Sequence, residues 1–188
     1  MDRRKQKTRH AIYEAFSTLL SQKKYSQITI QEIIDTANIG RSTFYAHFPA
    51  KEDLLREICT ELFEHIFYYS PLPEEETPPQ QEEENIQRVL AHILTHMARN
   101  GKMIHGILSS ESGSFFIACL REYMDEFTDR YILRQRKNEL KGISLDFFKN
   151  HISGSFIAAI QWWFDHGSQP DAQDLARQYT KLIVPILP

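Results

Sequence analysis

The sequence predicts an all-α chain: a small N-terminal three-helix domain followed by a larger helical bundle. Three observations carry that expectation. Apolar residues recur at three- and four-residue spacing through most of the chain, and no alternating stretch competes for a strand. Thr29 followed by Glu32 forms a capping box, succeeded by a short amphipathic run and a break at Asn38-Ile39-Gly40. Basic charge is concentrated ahead of residue 61, where 10 Lys and Arg face 7 acids for a net of +3, while the remainder has 12 against 18 for a net of -6.

With 188 residues and 41% hydrophobic content, the chain is long enough for one or two domains with a sizeable core. Ala11, Ile12, Ala15, Phe16, Leu19 and Leu20 share one face of a first helix over residues 3–22, whose start holds half of the N-terminal basic charge. Lys23, Lys24, Tyr25 and Ser26 read as a polar connection. A second helix opens at Ile30, with Ile30, Ile33, Ile34 and Ala37 along a single buried stripe. Asn38 tolerates the left-handed backbone that a sharp turn requires, and Gly40 is an acceptable N-cap for the next helix. That helix covers residues 41–47, with Phe44 and Phe48 turned inward and Arg41, Ser42, Thr43, Tyr45 and His47 outward. Two short helices around a three-residue turn make a helix-turn-helix, and the first helix supplies the third wall of its core.

The outward face suits nucleic acid, because Arg grips guanine edges or phosphate while Ser, Thr, Tyr and His donate to phosphate oxygens. A plain solvated helix accounts for the same residues. The uneven charge favours a DNA-binding head on a body that does not touch DNA. After Pro49, residues 51–69 form a connecting helix carrying Leu54, Leu55, Ile58, Leu62 and Ile66. Lys51 in its first turn opposes the helix dipole, so it is expected to meet an outside anion such as phosphate.

Taken in this order, the pieces over residues 5–60 resemble the TetR family of transcriptional regulators. The resemblance rests on Phe16, Thr29, Ile33, Ala37, Ile39, then Ser42, Thr43, Phe44, Tyr45, His47 and Phe48, with Lys51, Glu52, Leu54 and Leu55 downstream. It implies that Thr29, Thr43, Tyr45, His47 and Lys51 contact phosphates and that Arg41 and Ser42 approach base edges of double-stranded DNA. The chain departs from the common pattern at Asn38, at Gly40 and at Ala50, which stands where a capping Ser or Asn is usual.

Residues 70–84 contain four Pro and six Glu and read as a loop between head and body, since such composition buries too little surface to offset its ordering entropy. The domains are thus expected at 1–50, 51–69, 70–84 and 85–188. In the body, Ile86, Val89, Leu90, Ile93, Leu94 and Met97 mark a helix ending near Asn100-Gly101, followed by a short one over 103–108. A polar break over 110–114 precedes a long helix over 115–137. Residues 144–166 form the next, stopped by Gly167, and Pro170 with Asp171 and Asp174 suits the first turn of the last.

The stretch HISGSFIAAIQWWFDHG and the short helix after it resemble the C-terminal domain of TetR-like proteins of Firmicutes. That resemblance implies a four-helix-bundle homodimer built from residues 153–163 and 175–187, with Phe156, Ile160, Trp163, Leu182 and Ile186 in the interface. Met97, Met103, Phe116, Tyr123 and Trp162 could line a ligand pocket, although apolar residues at helical spacing are ordinarily core.

Other classes are set aside on their chemistry. No Gly-rich phosphate loop is present, and Ser, His and Asp are too scattered for a triad, so the chain is not expected to be an enzyme or to carry a cofactor. His92 and His96 have usable ligand spacing, but nothing completes a metal set. Cys59 and Cys119 are too few for a disulfide framework. Neither an 18-residue apolar run nor a signal h-region occurs, which points to the cytoplasm and away from a membrane. The expected function is a dimeric repressor released from a palindromic operator by a small-molecule effector; the alternative is a co-activator whose C-terminal domain binds a protein partner.

Overall fold

The computed structural model describes residues 3–68, 79–109, 113–133, 140 and 142–186, and every regular element among them is helical. The described chain divides into two compact units, Met1–Leu62 with Lys102–Phe116, and Phe63–Gly101 with Ile117–Pro188.

The first unit opens with α1 (Arg3–Leu20), whose buried stripe of Ile12, Ala15, Phe16, Leu19 and Leu20 packs against α2 (Ile30–Ala37). A 3-10 turn over Tyr25–Gln27 joins them, and Tyr25 is buried in it, contrary to its reading as a polar connection. Its ring lies edge-on to Phe16 of α1 at 6.1 Å. The capping box forms as expected, with Thr29 Oγ1 accepting from the Glu32 amide at 3.2 Å and Glu32 Oε2 accepting from the Thr29 amide at 2.9 Å. Asn38 closes α2 in the left-handed conformation, with φ 53°. After it, α3 (Arg41–His47) is held by Phe44 and Phe48, which are 0% and 1% exposed.

The next helix, α4 (Lys51–Tyr68), starts without a side-chain cap from Ala50, yet the Ala50 amide is satisfied by Asp53 Oδ2 at 3.1 Å. Half of a capping box thus survives the missing Ser. Also in the first unit is α6 (Gly101–Leu108) from Lys102 onward, which buries Met103, Ile104 and Ile107. It lies against the end of α1 at Gly106, where a side chain would collide with the Leu20 carbonyl.

The second unit contains α5 (Pro79–Arg99), α7 (Gly113–Phe127) from Ile117, α8 (Leu145–Asp165) and α9 (Ala172–Ile183). Helix α5 begins at Pro79, inside the stretch expected to be loop through 84. Proline lacks an amide that the first turn would leave unpaired, so it suits the start of a helix. The rest of the expected loop, residues 70–78, lies outside the described residues, as do residue 69 at the end of the expected connecting helix and most of the 110–114 break. Helix α7 does not continue regularly toward residue 137: it widens into a π turn over Thr128–Ile132, where the Leu133 amide reaches back to the Thr128 carbonyl at 2.9 Å. The buried Thr128 hydroxyl meanwhile donates to the Met124 carbonyl at 2.8 Å. Residues 134–139 lie outside the described residues.

Ser144 caps α8, accepting from the Phe147 amide at 3.3 Å. Asp171 is the N-cap of α9, taking the Asp174 amide at 2.9 Å, so Pro170 precedes the helix instead of entering its first turn. The Pro170 carbonyl accepts from the buried Trp163 indole at 2.6 Å. Tyr179 of α9 packs edge-on to Phe156 of α8 at 5.3 Å and donates to the Ile152 carbonyl at 3.0 Å, tying the last two helices together. Burial pushes that phenol up to about 12. Helix α5 packs on α9 and completes this core.

Candidate nucleic-acid interface

The outward row of α3 is where the sequence places it. Arg41, Ser42 and Tyr45 are exposed, and Thr43 and His47 are partly so. Phe44, between them, anchors the helix from beneath, with the Tyr45 ring edge-on to it at 5.5 Å and 89°. Tyr45 is 42% exposed, a large aromatic surface for a phenol that has a donor to offer. The Arg41 guanidinium lies 5.9 Å from the Tyr45 ring centroid, so the two residues form one outward ridge. Gly40, with φ -81° and ψ 153°, leaves the start of this ridge free of side-chain bulk.

The basic start of α1 adds charge beside it. Arg3, Lys5 and Lys7 are exposed, and the positive field of Lys5 and Arg9 reaches His47. Burial first, then those two cations, hold the His47 imidazole below its usual value; its Nδ1 is buried without a hydrogen-bond partner. A neutral imidazole beside cations is a group whose protonated form an incoming phosphate would favour.

Two expected phosphate ligands are committed elsewhere. Thr29 donates both its amide and its hydroxyl to Glu32, at 2.9 and 3.0 Å. Glu32 also pairs with Lys23; that hydrogen bond and the two from Thr29 hold its carboxyl down at about 2. Lys51 is half-buried, and its ammonium donates to the carbonyls of Tyr25 at 3.0 Å and Ile28 at 2.7 Å. Its conflict with the α4 dipole is met here by main-chain oxygens. Burial lowers its pKa, only partly offset by Glu52.

A network that spacing does not reveal stiffens the head. The Arg9 guanidinium pairs with Glu57 and lies 5.3 Å from the Phe48 ring centroid, while the Tyr13 hydroxyl donates to the same carboxylate. Glu57 is 48 and 44 residues from Arg9 and Tyr13 in sequence, so only the fold brings them together.

With this geometry established, comparison with known proteins is direct. Residues 9–58 match the family described as bacterial regulatory proteins, tetR family, and residues 84–184 match a transcriptional regulator C-terminal region. A TetR transcriptional regulator from Streptococcus agalactiae 2603V has a crystal structure that is similar over 97% of this chain and 96% of its own, with 33% identity and a TM-score of 0.70. The chain belongs to the TetR family of transcriptional regulators.

An uncharacterized HTH-type transcriptional regulator of Bacillus subtilis (strain 168), YxbF, is 27% identical over 97% of this chain; the match spans 46% of that relative, less than half its length. The HTH-type dhaKLM operon transcriptional activator DhaS of Lactococcus lactis subsp. lactis (strain IL1403) is 42% identical over 48 residues, 26% of each chain. TetR-family members are transcriptional regulators and not enzymes. This one carries their helix-turn-helix DNA-binding domain.

In the body of this TetR-family chain the expected sites are less well assembled. Met97 is fully buried in the second unit, and Tyr123 packs there on Phe63 and Phe67 at 5.2 and 5.3 Å. Met103 and Phe116 belong to the first unit, and Trp162 is 47% exposed, which suits an outer surface better than a pocket wall. Of the expected dimer residues, Phe156, Ile160 and Trp163 are each 1% exposed in the single chain, so they have no area left to bury against a partner. Leu182 is 74% exposed, whereas the Ile186 side chain lies outside the described residues. The His92 and His96 rings are tilted against each other at 4.5 Å, with His65 edge-on to His96 at 5.1 Å, yet among the described residues no group is arranged to hold a metal. No single described helix is long and apolar enough to cross a membrane.

Proposed function

We propose that this TetR-family regulator binds a palindromic operator as a homodimer, with Arg41 and Ser42 reading base edges and Thr43, Tyr45 and His47 holding phosphates. Thr29 joins them once its hydroxyl turns from Glu32. The observation that carries this reading is the exposed ridge of Arg41, Ser42 and Tyr45 on a helix pinned from below by Phe44 and Phe48. The exposed basic start of α1 supplies the sequence-independent part of the affinity. Trp162, exposed toward the end of α8, and Leu182, exposed on α9, are the residues offered to the second subunit. Gly154 and Ala158 lie on α8 eight and four residues before Trp162, and a side chain on Gly154 would meet open space, so a partner helix can approach closely there.

On this reading the regulator is a repressor. A small molecule that binds a body conformation with the two heads wrongly spaced lowers operator affinity by its differential binding energy. A second reading, co-activation through a protein partner, is favoured by the activator DhaS among the relatives and by exposed Ile143, Leu145 and Phe147 around the start of α8.

The test is selection of duplexes from a random pool by the purified protein, followed by salt titration on a selected and a scrambled duplex. An inverted repeat with half-sites about 10 base pairs apart, or a multiple, together with steep salt dependence, supports the reading. Salt-independent binding with no enriched repeat overturns it.

A further inference from the structure

The surroundings of Lys51 are those of an internal tie, not of a surface cation. Besides its bonds to the carbonyls of Ile28 and Tyr25, its ammonium sits 4.1 Å from the centroid of the Tyr25 ring. Tyr25 is itself held from the other side, because its hydroxyl donates to Glu52 at 2.9 Å. An ammonium has three donors and no acceptor, so two of the three are spent on main-chain oxygens.

The position of those oxygens gives the contact its meaning. Tyr25 begins the 3-10 turn that leads from α1 toward α2, and Ile28 is the residue immediately before the Thr29 cap. Lys51 is the first residue of α4, three positions beyond Phe48 at the end of α3. A single side chain therefore connects the entry of the helix-turn-helix to its exit.

We propose that Lys51 is a positioning residue that clamps the start of α2, and through it the α2–α3 pair, into the geometry that meets DNA, and that it is not itself a phosphate ligand. The proposal rests on the DNA-binding reading above and assigns Lys51 a different place within it. Charge-assisted bonds to two carbonyls from a half-buried site are strong enough to set a turn, and the ring of Tyr25 favours a cation there over a neutral chain.

The first arm of the test uses the unaltered protein. Lysines are acylated with N-hydroxysuccinimidyl acetate and quantified by mass spectrometry, with and without a random-sequence duplex. A clamped Lys51 reacts roughly tenfold more slowly than exposed Lys7 and Lys24 in free protein, because local opening must come first. A phosphate ligand reacts as Lys24 does until DNA is added.

The second arm is a salt titration of Lys51→Met on the same duplex. The clamp predicts an affinity lower by about tenfold with the salt slope of the wild type, since no phosphate contact is lost. A slope reduced by about 0.9 per subunit, or a Lys51 as reactive as Lys24 in free protein, overturns the proposal. If Lys51→Met does not fold, the acylation rates still decide. Failure of the DNA-binding reading itself shows separately, as wild-type protein whose binding does not respond to salt.

Discussion

Gly106 lies so close to the main chain of Leu20 that a Cβ built on it would sit 2.2 Å from the Leu20 carbonyl oxygen. Glycine within a helix ordinarily costs about 1 kcal/mol relative to alanine, so Gly106→Ala should stabilise α6 if propensity decided. Here the obstacle is a backbone atom, which cannot swing aside as a side-chain tip would, and overpacking of that kind costs about 1 to 3 kcal/mol. The expected outcome is a lower urea midpoint with an unchanged m-value; an alanine variant as stable as wild type would show that α6 and α1 are not in close register.

Arg41→Ala separates base reading from charge. On the selected operator it should cost about 1 to 3 kcal/mol per half-site, with a much smaller loss on scrambled duplex. Equal losses on the two duplexes would make Arg41 a phosphate contact. The comparison is read from binding isotherms at one fixed salt concentration.

The dimer proposal predicts opposite fates for two charge insertions in the body. Leu182→Glu alters a residue that is 74% exposed in the protomer, so the chain should stay folded and scatter light as a monomer. Phe156→Asp places a charge in a site 1% exposed and packed on Tyr179, and it should abolish cooperative unfolding instead. A folded Leu182→Glu dimer at micromolar concentration would move the interface away from α9.

Acid should weaken the second unit through His92 and His96. Burial comes first, followed by the neighbouring imidazoles and Arg99, in lowering both below the reference of 6.5. The unfolded chain therefore takes up protons before the folded one as pH falls. Stability is fully present above about pH 6.5 and declines from there toward the lower folded values. Denaturation midpoints measured between pH 7.5 and 5.5 should fall, and the double variant His92→Gln, His96→Gln should flatten that dependence. A wild-type midpoint constant over this range refutes the burial argument.

The helix-turn-helix is legible in the sequence because its instructions are local. The Thr29 and Glu32 box, the left-handed Asn38 and the inward pair Phe44 and Phe48 each act within four residues, and α2 and α3 fall at Ile30–Ala37 and Arg41–His47. Much of the outward row of α3 follows from the same periodicity. The start of α8 near Ser144 is legible too, whereas α9 starts after Pro170, which the sequence places in its first turn.

What the residues alone left open concerns partners distant in sequence. Lys51 in the first turn of α4 calls for a negative partner, and the fold supplies carbonyls 23 and 26 positions upstream. Tyr25 looked polar in its neighbourhood and is buried by Phe16. Arg9 and Tyr13 meet Glu57 only when α1 crosses α4. On α8, apolar residues cover so much of the circumference that periodicity could not tell the face consumed by the protomer, with Phe156, Ile160 and Trp163, from the surface left exposed at Trp162. Helical spacing reports that a side chain will be buried. Which surface buries it is decided by packing between segments far apart in the chain, and that is a property of the assembled core.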